Sequence, residues 1–316
     1  MTKALLWAIG IVAALLVGSY WWAGKDLKVM DAAARADAPG AFLQVTDGQI
    51  HYQARGPEDG NVIVMVHGFS TPSFIFEQNA SALVDAGFRV VQYDHFGRGW
   101  SDRPEGPYDE DLYDQELMDL LDGLGLIEPV GMVGLSMGGP IVMAFAGRHP
   151  ERVSRVFLFV PAGLDVKGDS GLGAALLKVP VVGDWIWQVF GRGILLGDPQ
   201  YDESALSPEN RLQGDVARQM DYRGYGKALL STLRNFPMSN RQMLFSAVAQ
   251  KTDTPVMAVF GDEDQTVDIS SAAELVALIP GADVRIIEGG THGLNYQRHE
   301  EVNALLIDWF SRVVPD

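Results

Sequence analysis

Two kinds of hydrophobic patterning alternate along most of this chain. Phe42–Val45 and Ile50–Ala54 read as period-2 strands around the turn dipeptide Asp47-Gly48, a hairpin signal. Val62–Val66 is a continuous, mostly β-branched apolar run, as expected of a strand buried on both faces. Ala80–Ala86 has helical spacing and stops at Gly87; Phe88–Tyr93 is again a strand. Tyr113–Leu124 is an acidic amphipathic helix, followed by the apolar run from Val130. Arg155–Val160, Thr254–Phe260 and Val284–Ile287 continue the strand series, and Glu301–Val313 closes the chain with an apolar helical stripe. Strands alternating with helices predict a mostly parallel, doubly wound α/β sheet. Side chains that do chemistry then belong at the carboxyl ends of its strands. Between residues 162 and 251 the alternation lapses into helical patterns broken by Gly and Pro, which predicts a helical insertion over that face. The insertion is strongly apolar around Leu176, Val181, Trp185, Ile186, Trp187 and Phe190. Most of these residues are expected to pack it against the main domain, and a few to line an acyl pocket or touch a membrane. The expected organisation is therefore 1–28, 29–40, a core of 41–161 with 252–316, and 162–251 inserted as a cap.

The N-terminus breaks the pattern. Ala4–Gly24 is apolar apart from Ser19 and Tyr20, and is about the length that crosses a bilayer as a helix. Tyr20, Trp21 and Trp22 stand at its C-terminal end, where aromatic rings favour the headgroup region. A cleaved signal peptide and a buried helix are the competing readings, and Lys3 would suit the former. Paired tryptophans where small residues would be needed for cleavage favour a retained single-pass anchor over residues 1–28. With cleavage, the protein would be secreted or periplasmic. Orientation is open, because Lys3 and the amino terminus face Lys25, Lys28 and Arg35 across the span. Residues 29–40 read as a short amphipathic or flexible tether.

Composition narrows the chemistry. The chain of 316 residues carries 24 Lys+Arg against 41 Asp+Glu, a formal net charge of -17, so its surface repels phosphate backbones and nucleic acid is not expected as a partner. It has no cysteine, which excludes a thiol nucleophile, disulfides, cysteine-ligated zinc and iron–sulfur clusters.

The chemistry centres on Gly134-Leu135-Ser136-Met137-Gly138, a Gly-x-Ser-x-Gly sequence between an apolar strand and an apolar helix. Glycines two residues either side of a serine let strand and helix approach closely, so the hydroxyl is lifted above the sheet on a strained turn. An ordinary glycine-rich turn is the plainer reading. A serine hydroxyl needs a base, and the base an orienting carboxylate. His292 lies in a glycine-bounded loop after the last strand and is the candidate base. His67 reads as a structural hydrogen-bonder, while His51, His95, His149 and His299 sit in a hairpin, a turn and helix ends. Asp262, Glu263, Asp264 and Asp268 cluster after Phe260-Gly261; Asp264 is the candidate acid, with Asp262 as alternative. The backbone N–H groups of Met137 and Phe69 are the candidate oxyanion donors.

With these residues in view the sequence resembles an α/β-hydrolase-fold serine hydrolase from Phe42 to the C-terminus. The resemblance rests on His67-Gly68-Phe69, Asp94 through Ser101, Gly134 through Gly139, Gly261 through Asp264, and His292. It implies a helical cap after the sixth strand and no metal or organic cofactor. The apolar N-terminus and the cap together are similar to membrane-bound monoacylglycerol lipases. The expected activity is hydrolysis of hydrophobic or lipid-like carboxylic esters through an acyl-enzyme. Carbon–carbon bond hydrolases of ring-cleavage products share the fold, but they usually carry Asn where Leu135 stands and a Gly-Pro-Gly-Ala loop where Ser70-Thr71-Pro72-Ser73 stands. Lactonase, thioesterase and cofactor-free perhydrolase activities use the same machinery. A receptor-like binding role is the alternative outside enzymes. Asp262 through Thr266 also matches the Asp-x-Asp-x-Thr motif of phosphatases, though that motif normally follows a first strand.

Overall fold

The computed structural model describes residues 3–198 and 212–312. It opens with α1 (Lys3–Gly24), a helix in which no residue is buried and which is long and apolar enough to cross a membrane. Then follow β1 (Ala41–Val45), β2 (Gly48–Arg55), β3 (Val62–Val66), α2 (Glu77–Asp85), β4 (Arg89–Tyr93) and α3 (Glu110–Gly123). Next come β5 (Val130–Leu135), α4 (Gly138–Arg148) and β6 (Val153–Phe159). The 162–251 segment contributes α5 (Leu172–Lys178), α6 (Val182–Leu196), α7 (Leu212–Gln219), α8 (Tyr225–Asn235) and α9 (Gln242–Lys251). The chain closes with β7 (Val256–Gly261), α10 (Ser270–Leu278), β8 (Asp283–Ile287), α11 (Leu294–Gln297) and α12 (His299–Ser311).

The eight strands form one sheet in the order β1-β2-β4-β3-β5-β6-β7-β8. The hairpin at Asp47-Gly48 makes β1 and β2 antiparallel, and β2 also runs antiparallel to β4. All remaining pairs are parallel. Every residue of β5 and of β7 is buried, as their unbroken apolar sequences predict. The edge strand β8 differs: Arg285 and Ile286 are exposed, because it has a neighbour on one side only. Two apolar clusters sandwich the sheet. One joins α3 and α4 to β5 through Leu117, Leu121, Met132 and Phe145. The other joins α2 and α12 through Leu83, Phe157, Leu306 and Phe310. At the start of α3 the Asp109 side chain accepts the Leu112 N–H, with Glu110 and Asp111 in the first turn.

Residues 29–40 lie against the core. Arg35 donates to Asp102 at 2.5 Å, to the Gln49 side chain at 3.2 Å and to the Trp100 carbonyl at 2.9 Å. The Pro39 carbonyl meets Nε2 of the buried His51. Just before them, the Lys28 N–H donates to the Asp221 carbonyl at 2.8 Å.

Candidate active site

The turn after β5 shows why the glycines flank Ser136. A Cβ on Gly134 would fall 2.6 Å from the Gly138 carbonyl oxygen, and one on Gly138 would fall 2.1 Å from that of Val66. Strand and helix are that close, so neither position admits a side chain. Ser136 itself has φ +52, the left-handed region that a non-glycine residue enters only under constraint. The constraint is visible: its N–H donates to the Phe159 carbonyl at 2.9 Å, and its own carbonyl accepts from Gly139 at 2.9 Å and Ala162 at 3.0 Å.

The other candidates arrive on two later strand ends. The loop after β8 brings His292 Nε2 to 3.0 Å from Ser136 Oγ. The loop after β7 brings Asp264 Oδ2 to 2.8 Å from His292 Nδ1. Asp264 is only 4% exposed and His292 6%, so water scarcely competes for these bonds. The second carboxylate oxygen, Oδ1, accepts the N–H groups of Thr266 and Val267 at 2.6 and 2.9 Å, which fixes the rotamer. Asp262 faces elsewhere and accepts the Gly289 N–H at 2.7 Å. Of the two aspartates, Asp264 is the one beside the imidazole. A serine hydroxyl, an imidazole and a carboxylate in one hydrogen-bonded line can pass the hydroxyl proton to the imidazole as the oxygen attacks an electrophile.

Phe69 and Met137 lie next to this line. Met137 is fully buried at the start of α4. Phe69 follows Gly68, where an added Cβ would be 3.3 Å from Ser136 Cβ. The loop that carries Phe69 is braced in a way the sequence does not announce. Arg98 Nε donates to the Phe69 carbonyl at 3.0 Å, and the Tyr225 hydroxyl donates to the Ser70 carbonyl at 2.6 Å. Arg98 is fully buried and spends its other donors on the Phe96 carbonyl, the Tyr113 hydroxyl and Thr232 Oγ1. Tyr225 and Thr232 are both on α8, so the helical insertion bonds the Ser70 carbonyl directly and braces the arginine that bonds the Phe69 carbonyl. The available hint was Gly97-Arg98-Gly99, an arginine in a tight turn just after a strand.

The remaining histidines near the site are structural. His67 Nδ1–H donates to the Gly68 carbonyl at 2.8 Å, and its Nε2 accepts the His95 N–H at 3.0 Å, as expected of a structural hydrogen-bonder. Burial, with the neighbouring His95 second, pushes the His67 pKa well down. Burial likewise lowers His95 to about 3 and raises the Glu116 carboxyl well above its usual range; the two lie 2.6 Å apart. One proton on Glu116, shared with His95 Nδ1, satisfies that contact. His51 and Asp94 form a second buried pair at 2.8 Å. Burial disfavours charge on both, but their hydrogen bond and mutual attraction outweigh it. The His51 pKa ends raised and the Asp94 carboxyl is held well below the usual carboxylate range.

A cavity of about 570 Å³ opens above Ser136. Its floor is Gly68, Phe69, Leu135, Ser136 and His292, and its far wall comes from α5 and α6 through Leu176, Leu177, Ile186, Trp187, Ile194 and Leu195. The lining is predominantly apolar. Its two lysines are engaged: Lys167 donates to the Asp264 carbonyl at 2.8 Å and lies 3.6 Å from Asp268, and Lys178 lies 3.9 Å from Asp169.

This fold and this site define a hydrolase of the α/β class. Residues 63–305 match the Alpha/beta hydrolase family, and the chain belongs to it. Among its relatives, a 2-hydroxy-6-oxononadienedioate/2-hydroxy-6-oxononatrienedioate hydrolase of Burkholderia vietnamiensis is 27% identical, over 84% of this chain and 92% of its own. A non-heme chloroperoxidase of Kitasatospora aureofaciens is also 27% identical, over 78% and 89%. Among solved structures, an esterase from Exiguobacterium antarcticum superposes with a TM-score of 0.71, at 22% identity, covering 86% of this chain and all of that one. These three proteins are named for different activities.

Proposed function

We propose that the protein hydrolyses carboxylic esters with an apolar acyl group, through an acyl-enzyme on Ser136. The observation that carries this reading is the hydrogen-bonded line Ser136–His292–Asp264 on the floor of a predominantly apolar cavity. His292 accepts the serine proton as Oγ attacks the acyl carbonyl, and Asp264 holds the imidazole in the productive tautomer and stabilises the imidazolium. The N–H groups of Met137 and Phe69 receive the negative charge that develops on the carbonyl oxygen, helped by the start of α4. The alcohol leaves with the proton from His292; water, activated by the same imidazole, then releases the acid.

In the same reading, residues 162–251 are a cap that supplies the acyl-binding wall, and residues 41–161 with 252–316 are the catalytic core. Helix α1 anchors the chain in a membrane, with residues 29–40 joining it to the core.

The 2-hydroxy-6-oxononadienedioate/2-hydroxy-6-oxononatrienedioate hydrolase among the relatives raises the carbon–carbon hydrolase as the second reading. The compounds in its name carry two carboxylates. A doubly charged substrate would need free cations in the cavity, and among the described residues both lining lysines already face acceptors or carboxylates. Leu135 and the Ser70–Ser73 loop also depart from the pattern of those enzymes. The phosphatase-like match is disfavoured too, since the carboxylates of Asp262 and Asp264 are engaged separately, by Gly289 and His292.

Hydrolysis of a p-nitrophenyl ester series from short to long acyl chains tests the proposal. Turnover that vanishes in Ser136→Ala, while the circular dichroism and melting temperature persist, is the expected result. A Ser136→Ala variant as active as wild type would overturn the mechanism. No turnover of any chain length, with Ser136 still labelled by a fluorophosphonate, would move the assignment to carbon–carbon or narrow lactone hydrolysis. Failure of both turnover and labelling would favour a ligand-binding role.

A further inference from the structure

Helix α6 carries an apolar stripe at four-residue spacing: Val182, Ile186, Phe190 and Ile194. A stripe of this kind normally faces a core. Here Val182, Phe190 and Ile194 are 44%, 52% and 49% exposed, while the core-facing side of the same helix is Gly183, Trp187, Gly191 and Leu195. Two members, Ile186 and Ile194, also line the cavity above Ser136. On α5, Leu176 does the same: it lines the cavity and is 38% exposed, with Leu172 one turn away at 78%. On the α5–α6 side the described residues therefore bring the cavity to the surface through an apolar rim, while Lys167, Asp169, Lys178 and Asp198 line it elsewhere. Leaving such a rim in water is unfavourable, at about 25 cal/mol for each Å².

What lies beside the rim indicates what covers it. Helix α1 packs along α6. The indole N–H of Trp185 donates to the Leu16 carbonyl at 3.1 Å and to Ser19 Oγ at 3.0 Å. The Gln188 side chain reaches Gly24 so closely that a Cβ there would lie 2.8 Å from its amide nitrogen. Helix α6 is thus fixed alongside the last two turns of α1, about 12 Å of its length. Trp21, Trp22 and Lys25 stand at that end, with Lys25 Nζ 3.4 Å from the centroid of a Trp22 ring, the composition of a headgroup boundary. Once α1 spans a bilayer, the α6 stripe is held at the depth where headgroups give way to acyl chains.

We propose that the outer face of α5 and α6 docks into the lipid leaflet at the C-terminal end of α1, so that the cavity rim opens into the bilayer and acyl substrates enter from the leaflet without crossing water. The proposal rests on reading α1 as a membrane anchor, and its substrate arm on the hydrolase reading. The occupant is a lipid surface rather than a second copy of the chain, because α6 is bonded to a helix whose own length and apolar composition match a bilayer. The net charge of -17 makes a zwitterionic surface the better partner.

The absence of cysteine allows a clean test. Phe190→Cys and, separately, Leu15→Cys in the full chain are labelled with an environment-sensitive fluorophore and reconstituted in phosphatidylcholine vesicles. Nitroxide-bearing lipids are expected to quench both probes. Quenching at 15 with a water-like spectrum at 190 would overturn the docking proposal and leave the anchor standing. A blue-shifted probe at 190 that lipid nitroxides do not reach would also overturn it, in favour of a second protein copy. No quenching at either position would remove the anchor and the proposal together. In a catalytic arm, Val182→Asn with Phe190→Asn should cut hydrolysis of a long-chain ester held in vesicles by about tenfold or more, and leave hydrolysis of a water-soluble butyrate ester within about twofold. Equal loss on both esters would overturn leaflet entry. A wild-type chain inactive on both would count against the hydrolase reading while the depth result still decides the docking.

Discussion

The carboxylate of Asp264 divides its work between its two oxygens, and this sets what its replacement should do. Oδ1 holds two backbone N–H groups and Oδ2 faces His292. In Asp264→Asn the amide oxygen can keep the backbone bonds, so the fold should persist. The NH₂ would then face Nδ1 and force the proton onto Nε2, the nitrogen that must receive the serine proton. A fall in kcat of about 10⁴ is expected with little change in melting temperature; steady-state kinetics beside a thermal melt would show it. Gly138→Ala should behave oppositely. Its Cβ would sit 2.1 Å from a carbonyl oxygen, so the strand–helix junction must separate, at a cost of about 3 kcal/mol in urea unfolding. The candidate residues were legible because their roles impose spacing: glycines around the serine, and loops after particular strands. Asp264 was harder to separate from Asp262, since both follow β7 and only the turn through Thr266 and Val267 decides which one faces the imidazole.

Helix α8 gives a clearer view of elements than the sheet does. Its Thr232 and Tyr225 reach across to the loop carrying Phe69, the first through Arg98 and the second directly. Thr232→Val would leave one donor of a buried guanidinium without an acceptor, a loss of about 1–3 kcal/mol. The loop should shift more than the apolar wall, so kcat is expected to fall by about tenfold while KM stays within about twofold. Equal effects on both parameters would mean that Thr232 only stabilises the fold. The sheet elements themselves were readable from periodicity, with boundaries moved by two or three residues at most helix starts. Their order across the sheet was not, because it depends on pairing between distant strands. Nor could spacing alone show residues 29–40 held by Arg35 and Pro39, since those contacts lie with Asp102, Gln49 and His51 much further along the chain.

For the molecule as a whole, the buried histidines set the pH dependence of stability. His67 is held neutral, with its folded pKa well below the ordinary value near 6.5. Its contribution is therefore present above about pH 6.5 and lost on acidification, by about 1.4 kcal/mol for each pH unit. His51 and Glu116 are shifted the other way. Each keeps a proton that the unfolded chain has released, above about pH 6.5 for His51 and above about pH 4.5 for Glu116, so each contribution falls as pH rises toward the folded pKa. In the 4.5–6.5 interval the His95–Glu116 pair is neutral to this balance, because one proton is bound to it both folded and unfolded. Melting temperatures from pH 5 to 9 should pass through a maximum near about pH 6.5. A melting temperature rising steadily to pH 9 would contradict these assignments. Nothing in composition foretold this, since it follows from which histidines the fold buries and what each one faces.

The hold of α8 on the Phe69–Ser70 carbonyls also bears on how such enzymes diversify. Segments inserted between β6 and β7 invite exchange, because they line the substrate side and leave the sheet intact. In this chain that exchange is not free. A transplanted cassette lacking counterparts of Thr232 and Tyr225 would bring new walls but withdraw two supports from beneath the loop at Phe69. Chimaeras that graft only α5 to α7 and retain the native α8 should keep their rate constants and change their preference, whereas whole-segment grafts should lose rate first. The useful seam for engineering runs inside the insertion, just ahead of Gly224, rather than at its ends.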